Sequence, residues 1–264
     1  CSNIYLTDIS LFCFFNNIYD KIVVGANGII TFDTTLASPP GFNWFTASVC
    51  DWPFTQSIPN TIGLPYRNSI NGAYHDINPS VSGNIRYGIL GTYPCRTFIV
   101  NYESIPHFSC TSLVTTQQIV IYESTNIIEV YIQNKPTCST WNNGNAVIGI
   151  QNETGTIGYT PPNRNTGSWS TNNEAWRFTP DGTASYSVEW HDNSGTIIGT
   201  SDTITVCPNT TTTYSANVTY NLCDGTQVIE TDDIDINIID DGTCNDCNSD
   251  TTYTNITSCD SALW

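Results

Sequence analysis

Basic residues are scarce in this chain. The 264 residues contain 7 Lys and Arg against 24 Asp and Glu, which gives a formal net charge of −17 at pH 7. All 7 bases lie before residue 181, and the segment 181–264 holds 14 acids and no base. Nucleic-acid binding needs a cationic surface that displaces phosphate counterions, and docking on anionic lipid needs one too. The sequence argues against both, and it leaves solubility alone or divalent-cation binding as explanations of the acidity.

Long apolar runs are also lacking. No run approaches the ~20 residues that a membrane-spanning helix needs, so we expect a soluble chain that is not membrane-embedded. Residue 1 is a cysteine, and no basic, apolar leader precedes it. We therefore expect any signal peptide to have been removed or to lie outside this sequence.

Recognisable catalytic motifs are missing as well. The sequence has no HExxH and no GxSxG, and its three histidines are scattered along the chain. Glu103, Glu123 and Glu129 are candidates for a glycoside-hydrolysing carboxylate pair only by default. At the ends of strands such residues are more often solvated. We therefore predict a non-catalytic protein with no catalytic residue.

Cysteine is abundant, with 11 residues in a chain without methionine. This composition favours an exported protein with oxidised thiols. We predict a disulfide between Cys207 and Cys223, because the 15 residues between them allow a turn and a returning strand. The six cysteines before residue 140 allow 15 pairings, of which we select Cys110 with Cys138. Three further cysteines follow residue 240, an odd number that favours a longer parent polypeptide over a free thiol.

Apolar runs rich in β-branched and aromatic residues, separated by turn signals, occupy the first 180 residues, where helical spacing is absent. The Asn27-Gly28 dipeptide between two such runs predicts a hairpin. The alternation from Tyr186 to His191 places Trp190 inward. Because turn residues and a change in charge coincide there, we place a domain boundary near residue 181. The predicted fold is all-β, with a β-sandwich over 1–180, an immunoglobulin-like or PKD-like sandwich over 181–239, and a linker or the start of a further module over 240–264.

Several long segments resemble a known family. They are VVGANGIITFD, INGAYHDINPSVSGNIRYGILGTYPCRTFIVNYESIPHFSC, QQIVIYESTNIIEVYIQNKPTCSTWNNGNAVIGIQN and NEAWRFTPDG. Together they resemble the nidogen-like module of very large secreted proteins of Bacteroidota, and YSVEWHDNSGTIIGTSDTITVCP resembles the Ig-like unit that accompanies it. The resemblance implies a nidogen-like β-sandwich followed by an Ig/PKD-like one, export by the type IX secretion system, and a gliding-type adhesin at the cell surface. The C-terminal sorting unit of such proteins is not in this sequence, which leaves the export route open.

The same resemblance implies O-glycosylation of exported protein at short Asp-Ser/Thr sequences. Four positions match that pattern: Thr34, Thr203, Thr251 and Ser261. The pattern is only three residues long and the chain is rich in Asp and Thr, so some matches are expected by chance.

A calcium site is the one cofactor that the sequence suggests. Asp240, Asp241 and Asp246 supply oxygen ligands close together in the acidic second half. They do not follow EF-hand spacing, and a solvated loop is the alternative. No other cofactor is predicted.

Two tryptophans are candidates for ligand binding. Trp141 lies among amide side chains in the loop 139–145, and Trp169 lies in the loop 167–170. A Trp among amides can stack on a sugar ring and hydrogen-bond its hydroxyls. Packing in the core is the alternative for both residues.

The predicted function is that of a non-catalytic segment of a long extracellular adhesin, which attaches to surfaces, glycans or cells. Its expected partners are the other modules of the same polypeptide and a glycan or surface ligand. Two alternatives stay open: a structural stalk or filament subunit, and an accessory binding module of a secreted polysaccharide-degrading enzyme.

Overall fold

The computed structural model describes residues 2–5, 12–37, 57–61, 67–182 and 185–238. The chain divides into two compact units, Cys1–Pro180 and Asp181–Trp264. The described residues form antiparallel β-sheets joined by loops and two short 3₁₀ turns, so the protein is all-β. Within these ranges, no helix has the length and apolar character needed to cross a membrane.

Thirteen strands lie in the described part of the first unit, and their alternating or continuous apolar residues match the sequence prediction of strands throughout. In chain order they are β1 (Ser2–Tyr5), β2 (Phe12–Phe14), β3 (Asn17–Tyr19), β4 (Lys21–Gly25), β5 (Ile29–Thr31), β6 (Ser69–Tyr74), β7 (Asn84–Leu90), β8 (Thr97–His107), β9 (Cys110–Tyr122), β10 (Ile128–Lys135), β11 (Val147–Gln151), β12 (Gly158–Tyr159) and β13 (Thr171–Phe178).

These strands form two large sheets and a small hairpin. One sheet has six strands in the order β1-β4-β5-β6-β11-β12, and the other has five in the order β13-β10-β9-β8-β7. The apolar residues of both sheets meet in one core cluster, to which Ile30 and Ile70 contribute from the first sheet and Val100, Ile119 and Ile128 from the second. Burial of these side chains supplies the main driving force for packing the sheets together.

The predicted Asn27-Gly28 hairpin is confirmed. It joins β4 to β5, with Gly25 paired to Ile29 and Gly28 at a φ of 84°. Only glycine adopts such a φ without strain, and a Cβ at this position would also lie 2.4 Å from the side chain of Gln117. The hairpin is tied to the opposite sheet, because the Tyr102 hydroxyl donates to the Gly25 carbonyl at 2.9 Å.

The second unit contains one sheet within residues 185–238. Its strands are β14 (Tyr186–His191), β15 (Ile197–Gly199), β16 (Thr212–Asn221) and β17 (Gln227–Ile236), in the order β15-β14-β16-β17. One face is apolar and buried, as the alternation predicted: Trp190 is 5 % exposed, and its indole N–H donates to the Ser201 carbonyl at 2.9 Å.

The opposite face of this sheet is polar. Hydroxyls of β16 donate to carboxylates of β17, Thr213 to Asp235 at 2.6 Å and Ser215 to Asp233 at 2.5 Å. On the same face, the Thr231 hydroxyl of β17 donates to the side-chain oxygen of Asn217 at 2.7 Å. The alternation of apolar and polar residues therefore produces a sheet with one packed and one hydrated face.

The predicted disulfide between Cys207 and Cys223 is wrong. Cys207 is a free, exposed thiol, whereas Cys223 is bonded in a disulfide with another cysteine. The reason is the extended strand β16, whose ten residues lie between the two positions. At about 3.3 Å per residue, such a strand holds its ends ~30 Å apart, whereas a disulfide needs Cα atoms within about 7 Å.

The first unit is also disulfide-bonded. Cys110 and Cys138, the pair selected from the sequence, form a disulfide with a Cα–Cα distance of 5.9 Å. Cys13 and Cys95 are bonded in disulfides as well.

Cys207 should react with a thiol reagent in the folded, non-reduced protein, because it is exposed and has no disulfide partner. Treatment with iodoacetamide followed by peptide mapping should find Cys207 alkylated and Cys223 protected. Recovery of the Cys207 and Cys223 peptides joined by a disulfide would contradict this assignment and restore the prediction from spacing.

Candidate ligand-binding site

Three loops meet at one end of the first unit. They are the segment that follows β6, the turn between β8 and β9, and the loop between β10 and β11. The indole N–H of Trp141 donates to a carboxylate oxygen of Asp76 at 2.8 Å, and the backbone N–H of Phe108 donates to the Asp76 carbonyl at 3.0 Å. The disulfide of Cys110 with Cys138 links the start of β9 to the third loop. Residues distant in the sequence are therefore held together at this end.

Trp141 and Phe108 form an exposed aromatic pair on these loops. Their ring centroids are 4.8 Å apart and the rings are tilted by 53°. Trp141 is 37 % exposed and Phe108 is 41 % exposed, so packing in the core does not account for Trp141. Aromatic faces that stay open to solvent beside a carboxylate suit stacking against a sugar ring.

The backbone beside Trp141 explains how the ring is presented. Asn142, Asn143 and Gly144 all have positive φ, of 44°, 52° and 69°. Asn and Gly are the residues that adopt this left-handed conformation most readily. The N–H of Gly144 donates to the Trp141 carbonyl at 2.9 Å, which closes a tight turn immediately after the aromatic residue.

Trp169 lies in the core and not on this surface. It is 9 % exposed, and its indole N–H donates to the Ala146 carbonyl at 2.9 Å. Two basic side chains lie over its ring, with Lys135 Nζ at 4.3 Å and the Arg164 guanidinium carbon at 4.6 Å from the centroid. Its contacts are those of a buried structural residue.

Asp76 has a raised pKa, which is unusual for a carboxylate beside an open surface. Burial raises its pKa to about 6, and the hydrogen bond from Trp141 opposes that rise. No described ion pair includes Asp76. Near neutral pH it can therefore accept hydrogen bonds from ligand hydroxyls, and in mild acid it becomes protonated.

A buried pair of histidines, His75 and His107, lies next to the site, because these residues directly precede Asp76 and Phe108 in the chain. The Nε2 atoms of His75 and His107 are 3.2 Å apart, and the Thr115 hydroxyl lies 3.0 Å and 2.8 Å from them. Burial, followed by the charge of Lys135, lowers the pKa of both rings, that of His107 to about 4. Both imidazoles are therefore neutral at pH 7, and one donates to the other. Because Thr115 is fully buried, this cluster is a packing element and offers no accessible nucleophile.

Two of the three glutamates considered as catalytic candidates, Glu123 and Glu129, are buried and lie outside this site. Glu123 is 1 % exposed and Glu129 is 5 % exposed, so the expectation that they are solvated is wrong for these two. The physical reason is pairing with arginine: Glu123 accepts from Arg96 at 2.6 Å and Glu129 from Arg177 at 2.7 Å. Burial acts to raise the pKa of Glu129, but hydrogen bonds from two tyrosines and Arg177 outweigh it and lower the pKa. A general acid needs the opposite shift.

The remaining predicted sites divide into described and undescribed positions. Thr34 and Thr203, two of the O-glycosylation candidates, are exposed. The other two candidates and the predicted calcium ligands lie outside the described residues: Thr251, Ser261, Asp240, Asp241 and Asp246. In the part of the chain that the structure describes, no group of three or more His, Cys, Asp or Glu is placed to hold a metal ion.

Sequence reasoning could select Trp141 but not its surroundings. The amide-rich loop pointed to Trp141, whereas Phe108 and Asp76 come from loops about 30 and 65 residues away, and only the sheet pairing brings them together. The histidine pair was missed for the same reason. The available signal was that each histidine lies at the end of a strand-like run.

Comparisons with known proteins identify one family. A family model described as NIDO related matches residues 11–190, which includes the described core of the first unit and most of the first strand of the second. No curated protein and no solved structure matches the chain. Since the matched segment covers more than half of the sequence, the chain belongs to the NIDO-related family.

Proposed function

We propose that this chain is a non-catalytic segment of a long bacterial surface adhesin, and that Trp141 and Phe108 form its glycan-contacting platform. The domain type supports the first part, because the NIDO-related domain is a non-catalytic module. The disulfides support an extracellular location at the cell surface. A nidogen-like sandwich followed by an Ig/PKD-like module, exported by a type IX system, is the finer form of the same proposal.

One observation carries the proposal: the exposed Trp141 ring is held in a fixed orientation by Asp76. Trp141 is the one exposed tryptophan among the described residues of this unit, and a solvent-facing Trp forgoes the stabilisation that burial of its large apolar ring would give. The hydrogen bond at 2.8 Å and the contact with Phe108 restrict the ring before any ligand arrives. Preorganisation of this kind lowers the entropic cost of binding.

The expected binding mode follows from the chemistry of the three residues. A sugar ring would stack on the open face of Trp141, and its hydroxyls would donate to the carboxylate of Asp76. A single stacking contact with an aromatic residue is weak and accepts many kinds of sugar ring. High affinity for a surface would therefore come from many copies of the protein that bind at the same time.

Replacing Trp141 by alanine should weaken glycan binding while the protein stays folded, because the exposed ring contributes to ligand contact more than to the core. Glycan-array binding of the full chain should fall by about tenfold or more, the loss expected for one aromatic stacking contact. Tyr159→Ala is the matched control, since Tyr159 is also an exposed aromatic residue, at 59 %, and lies on β12. Equal losses in the two variants, or unchanged binding in Trp141→Ala, would refute the proposed platform.

A further inference from the structure

A depression of about 530 Å³ opens beside the β2–β3 hairpin and shares no residue with the Trp141 platform. Its volume lies within the range of small-molecule sites. Asn17, Tyr19 and Phe32 line it from one side, and Arg67, Asn68 and Glu153 contribute polar groups. Most of its lining is polar, which suits a ligand rich in hydroxyl groups.

Arg67 differs from every other arginine of the chain. The other four are each paired with a glutamate, as Arg86–Glu103, Arg96–Glu123, Arg164–Glu174 and Arg177–Glu129. Arg67 takes part in no described ion pair, and its Nε is buried without a hydrogen-bond partner. A chain with a net charge of −17 has ample carboxylates to offer, so a guanidinium left unpaired in a concave site indicates a partner from outside.

The backbone that carries Arg67 is firmly anchored. The Thr31 hydroxyl donates to the carbonyl oxygen of Asn68 at 3.1 Å. The N–H of Asn68 donates to the Asn152 carbonyl at 3.0 Å, and the Phe32 N–H donates to the Asn68 carbonyl at 2.9 Å. These bonds fix the backbone next to Arg67 against β5 and the loop after β11, so the Arg67 side chain starts from an anchored position.

Two carboxylates at the same depression limit the charge of the ligand. Asp33 and Glu153 line it together with Arg67, and both also act on the Tyr19 hydroxyl, whose pKa is raised mainly by burial. A phosphate or sulfate with high charge density would meet two like charges and a single cation. A planar carboxylate, with one negative charge, matches the forked donors of one guanidinium. One oxygen of Asp33 already accepts from the backbone and the hydroxyl of Thr35, and the remaining carboxylate oxygens of Asp33 and Glu153 can accept hydrogen bonds from neutral hydroxyls.

We propose that this depression binds a carboxylate-bearing sugar residue, such as a uronic acid of an acidic polysaccharide. Its carboxylate pairs with Arg67 and its hydroxyls donate to Asp33 and Glu153. The aromatic residues Tyr19 and Phe32, whose ring centroids are 4.6 Å apart, give the depression a fixed wall. The site is distinct from the Trp141 platform, so the chain would hold two separate glycan contacts.

Isothermal titration calorimetry of the full chain with an oligogalacturonate tests this site. We expect binding to the free acid and loss of binding to its methyl ester, which keeps the ring but removes the charge. Arg67→Gln should weaken binding by about 10- to 100-fold, the worth of a charge-assisted pair. Arg67→Lys should also weaken it, because an ammonium cannot form the two parallel bonds.

Two control variants separate this site from other effects. Arg86→Gln removes the same charge at a surface pair and should leave the affinity unchanged. Tyr87→Ala removes an exposed aromatic side chain that belongs to neither site and should also leave the affinity unchanged. The Trp141 platform is tested by its own variant on the glycan array, so that its failure and the failure of this site give different results. The proposal is overturned by absence of binding, by equal binding of the methyl ester, by equal losses in Arg67→Gln and Arg86→Gln, or by acetate binding as tightly as the oligosaccharide.

Discussion

Replacing Glu123 by alanine is expected to lower the free energy of unfolding by about 3–5 kcal/mol, the loss found when one partner of a buried ion pair is removed. Glu123 is 1 % exposed and accepts three hydrogen bonds from Arg96: from Nε at 2.9 Å, from a terminal nitrogen at 2.6 Å and from the backbone N–H at 3.0 Å. Without the carboxylate, the Arg96 guanidinium keeps its partly buried position and loses its charge partner.

Glu103→Ala is the matched control for this experiment. Glu103 pairs with Arg86 at 3.9 Å, and both side chains are about half exposed or more, at 49 % and 69 %. Exposed pairs of this kind contribute about 0–1 kcal/mol because water screens the charges. Urea denaturation of the full chain measures both variants. Similar losses for the two would show that burial of the Glu123 pair does not govern its contribution.

Replacing Lys135 by methionine should remove a rise in stability that the wild-type protein shows between pH 7 and pH 9. Lys135 is 1 % exposed, and burial, followed by the charge of Arg164, lowers its pKa from 10.5 to about 7. At a pH between these two pKa values, Lys135 carries a proton in the unfolded state but not in the folded state. The free energy of unfolding therefore increases as the pH rises through this window, by about 2–3 kcal/mol over two pH units.

The measurement compares wild-type protein with Lys135→Met by urea denaturation at pH 7, 8 and 9, with Cys207 alkylated beforehand. Readings stay below pH 10, where tyrosines with raised pKa values, such as Tyr102 and Tyr122, begin to charge in the unfolded state. Lys21→Met, at an exposed position at the start of β4, is the control. Equal pH slopes in all three proteins would contradict a neutral Lys135 in the fold.

The strands were predictable because their signal is local. Asn27-Gly28 predicted the hairpin of β4 and β5, and the alternation from Tyr186 to His191 predicted the buried face that carries Trp190. Each of these signals needs only neighbouring residues and the period of two along a strand. The order of strands within the sheets, by contrast, depends on packing between distant segments, and no local pattern fixes it.

The wrong predictions have the same cause: they concerned contacts between segments that no local pattern fixes. The disulfide prediction for Cys207 and Cys223 counted residues between them without asking whether those residues form one straight strand, which β16 does. The solvated interpretation of Glu123 and Glu129 failed because each arginine partner lies 27 or 48 residues away in the sequence. Composition made Trp141 a candidate, and the structure shows that its ring is exposed, but Arg67 became a candidate only when its surroundings were known.

The carboxylates along β17 have a consequence for assembly. This strand is the last in its sheet, so one side of its backbone has no neighbouring strand within the described residues. Glu230, Asp232, Asp233 and Asp235 lie along it, and a second such strand placed ~4.8 Å away would bring two rows of negative charge together. Sheet addition through this edge is therefore disfavoured at neutral pH.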